Sequence, residues 1–139
     1  MVEDDVWTTY LDYFAAFRAQ DLDGTARHFR APLSRVAAGR VQVDATEQAV
    51  RDWLRTTWCR LATRNYAGAS IESHAVTPID DGLTMLRVHG IRHDRSGADL
   101  ERFDVSYTLV RASRSEPWRI VALASAGTAA EQPGSRPVQ

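Results

Sequence analysis

The spacing of apolar residues in this 139-residue chain changes once, near Asn65, and that change limits the folds open to it. Before Asn65, apart from a short stretch over 33–43, apolar side chains recur every three or four positions; after it they alternate. Val6, Tyr10, Tyr13, Phe14 and Phe17 share one helical face, which predicts a first helix over about 4–19. Asp4 and Asp5 suit the positive end of its dipole. "QDLDG" breaks it. Asp21 is placed to cap a short second helix running through Phe29, and Pro32 stops it, because a residue before proline avoids helical dihedrals. Segments 33–36 and 41–43 read as a hairpin turning at Ala38-Gly39. A third helix is expected over 45–63. Asp44 and Glu47 have capping-box spacing, and Val50, Trp53, Leu54, Thr57, Trp58 and Leu61 form the apolar stripe.

Four strands follow, over 69–79, 83–94, 100–112 and 118–125, separated by "DDG", "RSGA" and "RSEP". Residues 1–126 read as one domain, large enough to bury a core without a disulfide. Residues 127–139 are rich in Gly, Pro and small polar residues and read as a disordered tail. Helices segregated from an antiparallel sheet define an α+β class. Long strands that bury their apolar face against helices must curl around them, which leaves room for a pocket on the concave side.

Net charge is −1, which argues against general nucleic-acid binding. All 17 basic residues are arginine. Guanidinium forks recognise anions, but these arginines are spread along the chain, which favours coding bias on a solvated surface. Cys59 is the single cysteine and reads as a small buried residue of the third helix. "MVEDDVW" lacks the basic and apolar runs of a signal peptide, and no stretch is long enough to span a bilayer. The expectation is a cytoplasmic protein with neither membrane nor nucleic acid as partner.

The hairpin at Ser96-Gly97 can be put in register. With Arg95 opposite Ala98, His89 faces Asp104, Arg87 faces Ser106 and Met85 faces Thr108. The other face then pairs Leu86, Val88 and Gly90 with Tyr107, Val105 and Phe103, with Leu109 beyond. A slip of one residue would mix these sets. The apolar set should face the helices, so His89 and Asp104 point outward. Such a pair has the form of a general base with its orienting carboxylate. On the outer face it reads as a cross-strand ion pair instead.

The order of elements, the segment "FRAQDLDGTARHF" and the closing "WRIV" resemble the NTF2-like superfamily over residues 6–125. That group includes ketosteroid isomerases, SnoaL-like polyketide cyclases, scytalone dehydratase and limonene epoxide hydrolase. The resemblance implies a cone: three N-terminal helices packed on a curved, mostly antiparallel sheet. It also implies a homodimer, although the outer residues Arg87, His89, Arg102, Asp104, Ser106 and Thr108 are polar for an obligate interface. Against the ketosteroid isomerases, the oxyanion tyrosine falls at Tyr13, eight residues before Asp21. Their supporting tyrosines fall at Phe29 and Trp53, and the second oxyanion donor near Tyr107. Their general-base aspartate falls near Ala37, so the base is missing and steroid isomerase activity is not expected.

The inward set predicts an aromatic, mostly uncharged pocket. Tyr13 and Tyr107 are its polar handles, and Phe17, Phe29, Trp53, Leu86, Val88, Phe103 and Val105 are its walls. It suits a small hydrophobic, carbonyl-bearing molecule of polyketide or terpenoid type. His28 and Asp104 are the candidate proton carriers. His28, on the short second helix, has both the pocket mouth and solvent open to it. Two functions follow. One is a cofactor-independent enzyme that isomerises, cyclises or dehydrates such a molecule. The other is a non-catalytic binding or dimerisation module, which the missing acid near Ala37 favours. His74, His89 and His93 lack a ligand spacing, so no metal site is expected.

Overall fold

In the computed structural model, which describes residues 1–126, the chain leaves its last helix for the long strands at Asn65, with φ 62°. Ahead of it lie α1 (Val2–Arg18), α2 (Leu22–Ala26), β1 (Phe29–Ala37), β2 (Arg40–Asp44) and α3 (Glu47–Thr63). Beyond it lie β3 (Tyr66–Asp80), β4 (Leu83–Asp94), β5 (Asp99–Val110) and β6 (Arg119–Ser125). The expected disordered tail, 127–139, lies outside the described residues. The six strands form one sheet in the order β2-β1-β6-β5-β4-β3, antiparallel except where β1 meets β6. The fold is α+β, with the helices packed on one face of a mostly antiparallel sheet.

The register of β4 on β5 is the one the alternation predicts, from Leu83 opposite Val110 to Arg92 opposite Glu101. Leu86, Val88 and Leu109 are fully buried beneath the helices. A one-residue slip would expose these three side chains at a cost on the order of 5 kcal/mol, which pins the register. The turn itself differs. A bulge after Arg92 sets His93 opposite Asp99, and Asp94 rather than Arg95 bonds Ala98. The Asp94 carboxylate accepts the N–H groups of Ser96 and Ala98 at 2.9 and 3.1 Å, building a turn one residue longer than alternation suggests.

Three other boundaries move. α2 stops at Ala26, and Phe29 begins β1 because Ile120 N–H donates to the His28 carbonyl at 2.7 Å and draws the chain into the sheet. Pro32 therefore lies inside a strand. Thr46, not Asp44, caps α3: its Oγ1 accepts the Ala49 N–H at 3.1 Å, while the Asp44 carboxylate is bonded to Arg35. β3 begins at Tyr66 rather than at residue 69. Cys59 is exposed, not buried, because it falls beside the apolar stripe of α3 rather than on it.

The outer face is less charged than β4 and β5 alone suggest. Cross-strand partners Val43, Ser34, Ala122, Thr108, Met85 and Thr77 form an uncharged row across all six strands. The adjacent row runs Val41, Val36, Ala124, Ser106, Arg87 and Ala75, with one charge among six residues.

Candidate functional site

Helical spacing on α1 turns Tyr10, Tyr13, Phe14 and Phe17 toward the sheet, and all four are buried. β5 presents Phe103 and Tyr107 from its inner face, β4 presents Arg92, and β3 presents Tyr66 and Ala69. These residues enclose a cavity of about 30 Å³, room for one or two waters. Tyr66, Ala69 and Arg92 form a half-buried rim. Gly90 makes the arrangement possible. A Cβ there would overlap the Phe103 ring and come within 2.5 Å of the Ser70 carbonyl, so only glycine lets Phe103 lie across β4.

Three phenols meet inside. The Tyr10 and Tyr107 hydroxyls are 3.3 Å apart, and the Tyr13 ring lies 5.4 Å from Tyr10 and 6.2 Å from Tyr107. Burial raises the pKa of all three, and a neighbouring phenol adds to this at each: Tyr13 at Tyr10, Tyr107 at Tyr13 and Tyr10 at Tyr107. Burial also raises Tyr66. The phenols therefore stay protonated and serve as donors. Arg92 opposes the shift at each of the four. The Tyr66 hydroxyl is buried and has no hydrogen-bond partner. Such a group costs about 1–3 kcal/mol, and a ligand oxygen would relieve it.

Arg92 is held at the rim from two sides. Its guanidinium lies 5.0 Å over the Phe103 ring, and its Nη1 donates to Glu101 at 3.1 Å. Glu101 is buried, and its other oxygen accepts from Arg64, the residue that ends α3.

The structure gathers four predicted residues in this lining: Tyr13, Phe17, Phe103 and Tyr107. The others stand elsewhere. Asp104 points to the outer face, where Arg87 donates to both its oxygens at 3.0 and 2.8 Å and His89 lies 3.6 Å away. The Arg87 hydrogen bond holds its carboxyl below the usual range. It is an ionised surface partner, separated from the phenols by the sheet. His28 is buried, with its ring 6.3 Å from Tyr13 and edge-on to it, but it is not part of the cavity wall. Its Nδ1 donates to the Gly24 carbonyl at 2.9 Å, and burial lowers its pKa, so the ring is neutral.

Phe29 is fully buried and fills the space between Tyr13 and Trp53 with edge-on contacts of 5.4 and 5.6 Å. Trp53 is half-buried beneath the Arg35 guanidinium, 4.8 Å away. Leu86, Val88 and Val105 are packed core outside the lining. The expected pocket spans the whole concave face. The phenol-lined cavity lies where α1 crosses β3, β4 and β5, and Phe29 is packed core outside its lining. The lining and its support also include Tyr10, Tyr66, Ala69, Arg92 and Glu101, which sequence reasoning misses. Continuing the β4–β5 register two positions past Gly90 and Phe103 places Arg92 and Glu101 on the inner face, so that signal is present in the sequence.

Among the described residues, no three His, Cys, Asp or Glu side chains are grouped as a metal site requires, and no helix is long and apolar enough to cross a membrane.

A family profile described as "NTF2-like protein (DUF6841)" matches residues 3–128. The sequence matches none of the functionally curated proteins. An NTF2-like protein with a cystatin-like fold from Novosphingobium aromaticivorans superposes with TM-score 0.70 at 15% identity, over 96% of this chain and 88% of that one. Aln2 from a Streptomyces species superposes with TM-score 0.68 at 20% identity, over 89% and 88%. The yeast UBP3-associated protein BRE5 superposes with TM-score 0.71 at 10% identity, over 90% and 95%. At these identities the likeness is one of fold.

Proposed function

The chain belongs to the NTF2-like family DUF6841, and from that premise we propose that its phenol-lined cavity binds a small oxygen-bearing molecule. The observation that carries this reading is the buried, unpartnered Tyr66 hydroxyl in a lining that also holds Tyr10, Tyr13 and Tyr107. Protonated phenols held in a buried site act as fixed dipoles that hold a ligand oxygen and stabilise negative charge developing on it. The lining consists of phenols, phenylalanines, an alanine and an arginine. This composition supports binding and polarisation of a ligand above proton transfer, and so the binding module above the SnoaL-like isomerase, cyclase or dehydratase. The volume favours a compact ligand, or one group of a larger ligand whose remainder stays at the rim, over a whole polyketide.

Ala69 offers the test, because it stands on the rim and contributes no polar group. Ligand-detected NMR with a panel of small ketones, phenols and carboxylic acids should show binding that Ala69→Phe abolishes while thermal stability is kept. Equal binding by the variant would overturn the reading.

A second copy of the chain is proposed as partner for the outer face, on the strength of the uncharged row from Val43 to Thr77. Val41 and Val43 are 68% and 58% exposed there, an unusual state for neighbouring valines. Gel filtration across a hundredfold concentration range should give a dimer, and Met85→Arg should shift it toward monomer. A wild-type monomer throughout would overturn the proposal.

A further inference from the structure

We propose that the cavity is an anion site: its ligand is a small organic acid whose carboxylate is held between the Arg92 guanidinium and the Tyr66 phenol. The inference rests on the reading of the cavity as a binding site and adds the charge of what binds. Charge at the rim is the first observation. Glu101 is shared between Arg92 and Arg64, so these three groups sum to +1 beside the cavity. One carboxylate cannot neutralise both arginines.

The geometry of Arg92 is the second. Among the hydrogen bonds of the described residues, Nη1 is the atom that meets Glu101. A guanidinium is a planar fork with five N–H donors, so another edge remains to receive a carboxylate. The Phe103 ring, 5.0 Å from its Cζ, anchors the guanidinium at the cavity rim.

The third observation is the orphaned Tyr66 hydroxyl in the same lining. A neutral carbonyl would satisfy Tyr66 and leave the local charge uncompensated. A carboxylate satisfies both, through two charge-assisted hydrogen bonds. A volume of about 30 Å³ accommodates a carboxylate head, and the half-buried rim leaves the rest of the acid outside. The even spread of arginines along the sequence hides this one site, because Arg92 becomes distinctive only when β4 turns it inward.

The test is a titration followed by amide chemical shifts around Tyr66, Arg92 and Phe103. Benzoate and propionate are compared with their uncharged counterparts, benzamide and propionamide. The acids should bind at least tenfold more tightly than the amides, and Arg92→Gln should erase that preference. Tyr66→Phe should weaken acid binding several-fold. Arg64→Gln brings the three groups to zero without touching Arg92 or Glu101 and should lower the preference several-fold, which keeps the test valid where R92Q folds poorly. Equal binding of acids and amides would overturn the anion inference and leave the pocket reading standing. An acid preference that survives unchanged in both R92Q and R64Q would also overturn it. No response at these residues to any of the four probes would overturn both.

Discussion

Two arginine–carboxylate pairs on the same two strands differ in almost every physical respect. Arg92 and Glu101 meet on the inner face, and Arg87 and Asp104 meet on the outer face. Glu101 is 4% exposed and binds two arginines, whereas the Arg87 side chain is 58% exposed. The inner pair replaces water as the solvation of a buried charge; the outer pair competes with water for two charges already solvated. Side-chain alternation along β5 is all that separates them: residues 101, 103, 105 and 107 turn inward and 102, 104, 106 and 108 turn outward. The same chemistry therefore builds the buried, charged rim of a cavity on one face and a marginal surface contact on the other.

Raising the pH gives the largest expected effect. The inner-face phenols have folded-state pKa values above their ordinary value of 10, so their stabilising contribution is complete below pH 10 and is lost as pH rises beyond it. Each phenol that ionises only in the unfolded chain adds a slope of about 1.4 kcal/mol per pH unit. Absorbance at 295 nm should stay flat through pH 10 and rise together with loss of the circular dichroism signal. A separate phenolate transition near pH 10 in the folded protein would contradict the buried triad.

Next in size is Gly90→Ala. The added methyl meets the Phe103 ring and the Ser70 carbonyl, and overpacking of this kind costs about 3 kcal/mol. His89→Ala, one residue along and facing outward, should stay within about 0.5 kcal/mol by urea denaturation. Glu101→Gln should cost about 2 kcal/mol, below the figure for removing one partner of a fully buried pair because Arg64 and Arg92 are partly exposed. Asp104→Asn closes the series at about 0.5 kcal/mol or less, and 0.5 M salt should reduce the difference further. Equal losses for Glu101→Gln and Asp104→Asn would remove the distinction between the two faces.

Much of this is legible in the sequence, and what is not has identifiable causes. Alternation over β4 and β5 separates the two faces, and the periodic stripes mark α1 and α3. Tyr13 and Tyr107 follow from register and family resemblance together. Phe29 is misplaced by local pattern because helix-to-strand boundaries depend on tertiary pairing, here Ile120 on His28, which no short stretch of chain carries. Asp104 is a candidate by its chemistry alone, although the register already turns it outward. Arg92 and Glu101 escape notice because charged residues at inward positions read as strand ends until a partner is seen. The extent of the cavity depends on how Phe29 and Trp53 pack, which is a matter of volumes rather than of residue pattern.

The sheet order carries a consequence for biosynthesis. Among the described residues β6 is the last strand, yet it sits between β1 and β5 and joins the β2-β1 hairpin to the β5-β4-β3 meander. Until a ribosome has released Arg119–Ser125, the nascent chain holds two separate sheets, each with an unpaired edge facing the gap. Closing this sheet therefore waits for β6, and a ribosome stalled between Val110 and Arg119 would expose two edges poised for aggregation.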